Sequence, residues 1–82
     1  MRLDKYLKVS RIIKRRTVAN EACDAGRVVV NGKIARASYD VKVNDVIELT
    51  LCARTVKARV VSVNEYAKKD EAAMMYEIIE EK

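Results

Sequence analysis

An α+β fold, with two short N-terminal helices packed on a small twisted, mostly antiparallel sheet, follows from three features of the sequence. Leu3 and Leu7 stand four residues apart with Tyr6 beside them, the spacing of a helix seam. Val18, Ala19, Ala22, Cys23 and Ala25 recur at three- and four-residue spacings ahead of Gly26, which marks a second helix and its end. Beyond that point the apolar residues come in β-branched runs, the first closed by Asn31-Gly32, a strong hairpin signal. A chain of 82 residues suffices for one core and not for two, so residues 1–82 are read as a single domain.

In the first helix Arg2, Lys5 and Lys8 fall at three-residue intervals and so line a ridge beside the apolar stripe, although Lys8 reads equally well as a plain solvent-exposed lysine. Residues 10–14 break the pattern and tuck Ile12 and Ile13 under the joint between the helices. The second helix is predicted from about Arg15 or Thr17 to Ala25, with Asn20, Glu21 and Asp24 outward and Gly26 as a left-handed C-terminal cap. Its start stays open. Thr17 could cap it, whereas a start at Lys14 would set three cations at the positive end of the helix dipole, which disfavours folding and favours holding a phosphate.

Val28 to Val30 make a strand, Lys33 and Ile34 begin its return, and residues 36–39 form a connecting loop. Residues 41–45 turn, with Asn44 tolerating a left-handed conformation, into a strand from Val46 to Leu51. Residues 55–63 give another strand, 68–74 a short helix and 76–79 a closing strand. With four tyrosines and no Phe or Trp, the core is aliphatic and small. Cys23 and Cys52 sit among apolar neighbours and read as reduced core thiols of a cytosolic protein. No apolar run spans a bilayer, and the first fifteen residues are too densely charged for a signal peptide.

Charge divides the chain more sharply than hydropathy does. Residues 1–36 hold ten Lys or Arg against three Asp or Glu, a net of +7, and residues 37–82 hold seven against nine, a net of −2, which together give the overall +5. Cations gathered in one half of a small domain create a local field for phosphate or acidic surfaces. Arg11, Lys14, Arg15 and Arg16 form the densest group. Catalysis lacks its parts: histidine is absent, the cysteines are outside metal-ligand spacing, and Asn31-Gly32 is no phosphate-cradling loop. Asp4, Asp40 and Asp45 read as single helix or turn polar groups. Binding without a cofactor or metal is therefore expected, not enzymatic activity.

R-L-D-K-Y-L at 2–7, A-C-D-A-G at 22–26, R-V-V-V-N-G-K at 27–33, S-Y-D-V at 38–41 and N-D-V-I-E-L at 44–49 occur in the order and at the separations of the S4-type RNA-binding domain, which the first fifty or so residues resemble. That resemblance implies the alpha-L arrangement, in which RNA lies against the two helices and the neighbouring hairpin. The R-I-I-K-R-R-T stretch at 11–17 and E-A-A-M-M-Y-E at 71–77 look like the small stand-alone, ribosome-associated members of the family. For such members the likeness implies large-subunit rRNA and peptidyl-tRNA on stalled, split subunits as partners. It also implies a tailing factor that adds C-terminal alanines; a monomer is expected, and no membrane contact, since neither helix shows a large apolar face beside its cations. Carried over by position, it places RNA contacts on Arg2, Arg11, Lys14, Arg15 and Arg16, with Lys5, Asn31 and Lys33 as a second tier. Two positions depart from the family pattern: Lys14 stands where many members have a small hydroxyl capping residue, and Val43-Asn44 replaces the usual Pro-Gly.

Arginine predominates in the cluster, and no aromatic platform lies within it, so shape and phosphate recognition are expected ahead of base reading. A basic ridge docking an acidic protein partner is the competing reading.

Overall fold

The computed structural model describes residues 1–51 and 54–81; Cys52, expected above in the core, lies outside them. Helix α1 spans Leu3–Val9 and buries Leu3, Tyr6 and Leu7 completely, so the predicted seam faces inward. Helix α2 spans Arg16–Asp24 with Arg15 as its N-cap, and no side chain caps it. The open question about its start is settled between the two alternatives. Three cations do precede or begin the helix, and Thr17 lies inside it.

The C-terminus of α2 is closed by a Schellman pair. Gly26, at φ +73°, donates its N–H to the Cys23 carbonyl (3.0 Å), and Arg27 donates to the Ala22 carbonyl (3.0 Å). A Cβ on Gly26 would meet Ile34 only at 3.8 Å, so the left-handed φ, not crowding, selects glycine here. The buried stripe of α2 is narrower than expected: Ala19, Ala22 and Cys23 are covered, whereas Val18 and Ala25 are exposed. A nine-residue helix lying on one neighbour covers a single stripe, and Val18 and Ala25 fall on its flank and its end. Burial raises the Cys23 thiol pKa to about 11, with Asp4 and Asp24 adding to it, so the side chain serves as a small hydrophobe.

Strands β1 (Val28–Val30) and β2 (Lys33–Ile34) form the predicted hairpin, with Asn31 at φ +53° and Gly32 at φ +83°. Two successive positive φ values define the I′ type of turn, which suits the right-handed twist of the strands. Strands β3 (Val46–Leu51), β4 (Arg54–Val60) and β5 (Tyr76–Glu81) complete a sheet of order β2-β1-β3-β4-β5 in which every pair is antiparallel. Asn44, at φ +77°, makes the left-handed step before β3 as expected. One face of the sheet meets the helices: Val28, Val30, Ile47, Leu49 and Val60 join Leu3, Leu7, Ile13 and Ala19 in one core.

The fourth strand is shorter than the valine-rich run 55–63 suggests. Val61 and Ser62 both direct their N–H groups at the Met75 carbonyl (2.8 and 3.1 Å), which turns the chain out of the ladder toward the tail. There α3 (Lys69–Ala72) precedes β5, as the tail was read. Tyr6 fastens that tail to the front of the chain by donating its hydroxyl to the Met75 carbonyl at 2.8 Å in a fully buried site. Tyr6→Phe removes this bond but leaves the carbonyl its two amide donors, and is expected to cost about 1 kcal/mol, read as a melting temperature lower by roughly 4–8 °C at unchanged circular dichroism.

Candidate nucleic-acid interface

The amino-terminal residues are anchored before α1 begins. The terminal ammonium bonds Asp40 Oδ1 at 2.7 Å, Val41 N–H donates to the Met1 carbonyl (2.9 Å), and Leu3 N–H donates to the Tyr39 carbonyl (2.8 Å). Bonding to the ammonium lowers the Asp40 pKa. These bonds fix the residue between them, Arg2, at the N-cap of α1.

Arg2 points its guanidinium at Asp4, and so does Arg16 from the first turn of α2. Asp4 is 2% exposed and accepts four hydrogen bonds: from Arg2 Nε (3.2 Å) and Lys5 N–H (2.8 Å) on one oxygen, and from Arg16 Nε (3.3 Å) and Asn20 Nδ2 (3.3 Å) on the other. Burial alone would raise its pKa. The bonds from Asn20, the Lys5 amide and Arg16, with the Arg16 charge, outweigh burial and hold it below the ordinary carboxylate value. Asp4 thus joins the two helices and gathers two half-exposed arginines at a cleft it shares with Thr17, Asn20 and Glu21.

A second cluster forms where α1 ends. Lys8, Arg11 and Lys14 line a polar groove of about 550 Å³ with Glu65 and Ala67, and none of the three takes part in an ion pair among the described residues. Arg11 stands at φ +64°, a left-handed position usually left to glycine or asparagine. Its N–H bonds the Lys8 carbonyl (3.1 Å), so this residue ends α1 and carries the chain round to α2. Lys14 of this groove is only two residues from Arg16 of the first cleft, a span of about 7 Å at most. Arg15 lies between them, exposed. With no acidic residue in its first turn, α2 presents the positive end of its dipole among these cations.

The second-tier residues are placed differently. Lys5 leans toward Glu65 at 3.7 Å. Asn31 is committed within the molecule: its amide donates to Asp45 (3.0 Å) and its carbonyl accepts from Val46 N–H (3.0 Å). Lys33 is exposed on β2 and lines a separate, more apolar cleft of about 640 Å³ with Ile34, Arg36 and Tyr39. The fold therefore brings Arg2 with Arg16 and Arg11 with Lys14, sets Arg15 between the groups, and keeps the hairpin residues apart. Lys8, which the sequence left as either a ridge cation or a plain exposed lysine, lines the groove with Arg11 and Lys14, and Arg36 lines the apolar cleft with Lys33. Sequence reading gave Asp4 no organising role, because its partners lie on two helices.

Two short helices laid on a hairpin, with cations at the helix joint, define the S4 domain class, and the S4 domain family model matches residues 1–47. An "RQC P-site tRNA stabilizing factor" from Streptococcus pneumoniae (strain ATCC BAA-255 / R6) is 56% identical over 99% of this chain and 92% of its own length. The protein of that name from Bacillus subtilis (strain 168) is 49% identical over 99% of this chain and 94% of its own. The chain belongs to the S4 domain family and to the same family as these two relatives. Among solved structures, the trimeric structure of Vibrio cholerae Heat Shock Protein 15 matches with a TM-score of 0.87 at 26% identity, over 95% of this chain and 80% of that one.

Proposed function

We propose that this protein binds RNA of the large ribosomal subunit together with tRNA, and stabilises peptidyl-tRNA on stalled, split subunits in ribosome-associated quality control. In this role it supports the C-terminal alanine tailing performed by a partner factor, and it acts in the cytoplasm as a monomer without a cofactor. The observation that carries the reading is the adjacency of the Arg2/Arg16 cleft and the Lys8/Arg11/Lys14 groove. It occurs in a chain whose near-full-length relatives bear the name of tRNA stabilizing factors.

Phosphate contacts position such a protein on folded RNA, and each one releases counterions, so affinity falls steeply with salt. Arg2, Arg11, Lys14, Arg15 and Arg16 make the main contacts, Lys5 and Lys8 add to the field, and Lys33 reaches RNA from the hairpin. Asn31 contributes by shaping the hairpin tip, since its amide is already bonded. No helix of the described residues is long and apolar enough to cross a membrane. The test is co-sedimentation with large subunits isolated from stalled ribosomes, before and after nuclease treatment. The complex is expected to fall apart with the RNA; persistence after digestion would assign the basic surface to an acidic protein partner.

A further inference from the structure

The geometry points to Asp4 as a positioning residue for phosphate: its buried carboxylate presets the guanidiniums of Arg2 and Arg16 as a single clamp for one RNA phosphodiester. The inference rests on the RNA-binding reading above and deepens it.

An acidic side chain in the middle of a polyanion site opposes binding by its charge, so its presence needs a compensating action. The bonding pattern supplies one. Asp4 takes each arginine by Nε alone, and the Nη atoms, which carry four of the five guanidinium donors, have no partner among the described residues. Both side chains are about half exposed, 52% for Arg2 and 48% for Arg16, while the carboxylate beneath them is 2% exposed. The acid is therefore shielded from the ligand and the forks are presented to it.

Lys5 N–H and Asn20 hold the carboxylate in place from the two helices, so its orientation does not depend on the arginines it orients. Two guanidiniums and one carboxylate leave a charge of +1, the complement of one phosphodiester. Free arginines would lose side-chain freedom on meeting a phosphate; these two lose it on folding, so less affinity is given up at binding. Thr17 lines the same cleft.

Asp4→Asn separates this role from simple charge. The variant raises the net charge from +5 to +6, so if Asp4 only holds the fold together, binding to a polyanion stays equal or tightens. Positioning gives the opposite sign. The measurement is co-sedimentation of the full chain with large subunits carrying peptidyl-tRNA, at stepped potassium chloride and fixed magnesium. Asp4→Asn is expected to weaken binding about tenfold and to make the log–log salt slope shallower by about 1.

Equal or tighter binding by a folded Asp4→Asn protein overturns the inference. Should that variant unfold at the assay temperature, the Arg2→Lys/Arg16→Lys pair decides. It keeps every charge but replaces a fork held at Nε with a single ammonium. A comparable loss supports the clamp, and wild-type affinity overturns it. Failure of the wild-type chain to bind subunits at all would remove the RNA-binding reading and this inference with it. Wild-type binding matched by the variants would remove only the inference.

Discussion

Replacing Arg11, Lys14 and Arg15 together by alanine is expected to weaken binding to large ribosomal subunits on the order of a hundredfold near physiological salt, with no loss of stability. Each contact with a phosphate contributes about 0.9 to the slope of log affinity against log salt. Three contacts therefore amount to a slope change of about 2.7, which at roughly 0.15 M corresponds to about two orders of magnitude. The fold has no stake in these side chains: all three are exposed and none forms an ion pair among the described residues.

Arg11 is left-handed at φ +64°, but alanine carries the same Cβ, so the substitution leaves the backbone strain as it was. Removing cations from the start of α2 also relieves their repulsion with the helix dipole, about 0.3–1 kcal/mol for each that sits close to it. Melting should thus hold steady or rise slightly while affinity collapses. An unchanged salt slope would place the RNA elsewhere on the molecule.

How far the sequence revealed the molecule depends on how local the deciding physics was. Gly26 and Asn31-Gly32 act through their own backbone angles, and both the Schellman closure and the hairpin lie where these residues put them. Leu3, Tyr6 and Leu7 act through spacing along one helix, and their burial followed. Where the outcome depended on a distant partner, the reading fell short. The fourth strand stops at Val60 because the Met75 carbonyl captures the next two amides, and no pattern within 55–63 encodes that.

The site divides in the same way. A cluster of cations is visible in any sequence, whereas the difference between Arg16, bonded to a buried acid, and Arg15, whose exposed side chain forms no ion pair among the described residues, arises only when α1 and α2 pack. Asp4 and Asn31 were the least legible positions for that reason. One looked like an ordinary helix polar group and joins two helices; the other, read as a second-tier RNA contact, also bonds a neighbouring turn.

That turn carries the largest expected effect on stability. Asp45, 8% exposed, accepts from Asn31 Nδ2 (3.0 Å), the Tyr39 hydroxyl (2.8 Å) and Lys42 N–H (3.0 Å), tying the hairpin tip and the loop before it to the start of β3. Asp45→Ala leaves three donors without their acceptor, and the expected loss is about 3 kcal/mol. In a domain of this size that is a large share of a total of roughly 4–12 kcal/mol, and it lowers the melting temperature by roughly 12–24 °C.

The acid limb of the stability curve should change with it. Burial on its own would raise the Asp45 pKa, but the Lys42 amide, Tyr39 and Asn31 bring it below the ordinary value, as the corresponding bonds do for Asp4. In the window between the two values the unfolded chain binds the extra proton. Stability from each group is therefore complete above the unfolded value of about 3.9 and drains away as pH falls through the folded one. Asp45→Ala should flatten that limb, leaving the parts owed to Asp4 and Asp40. Below its lowered melting point the variant should still bind large subunits within about threefold of wild type, because Asp4 anchors the Arg2 and Arg16 guanidiniums from the two helices and Asp45 bonds neither helix.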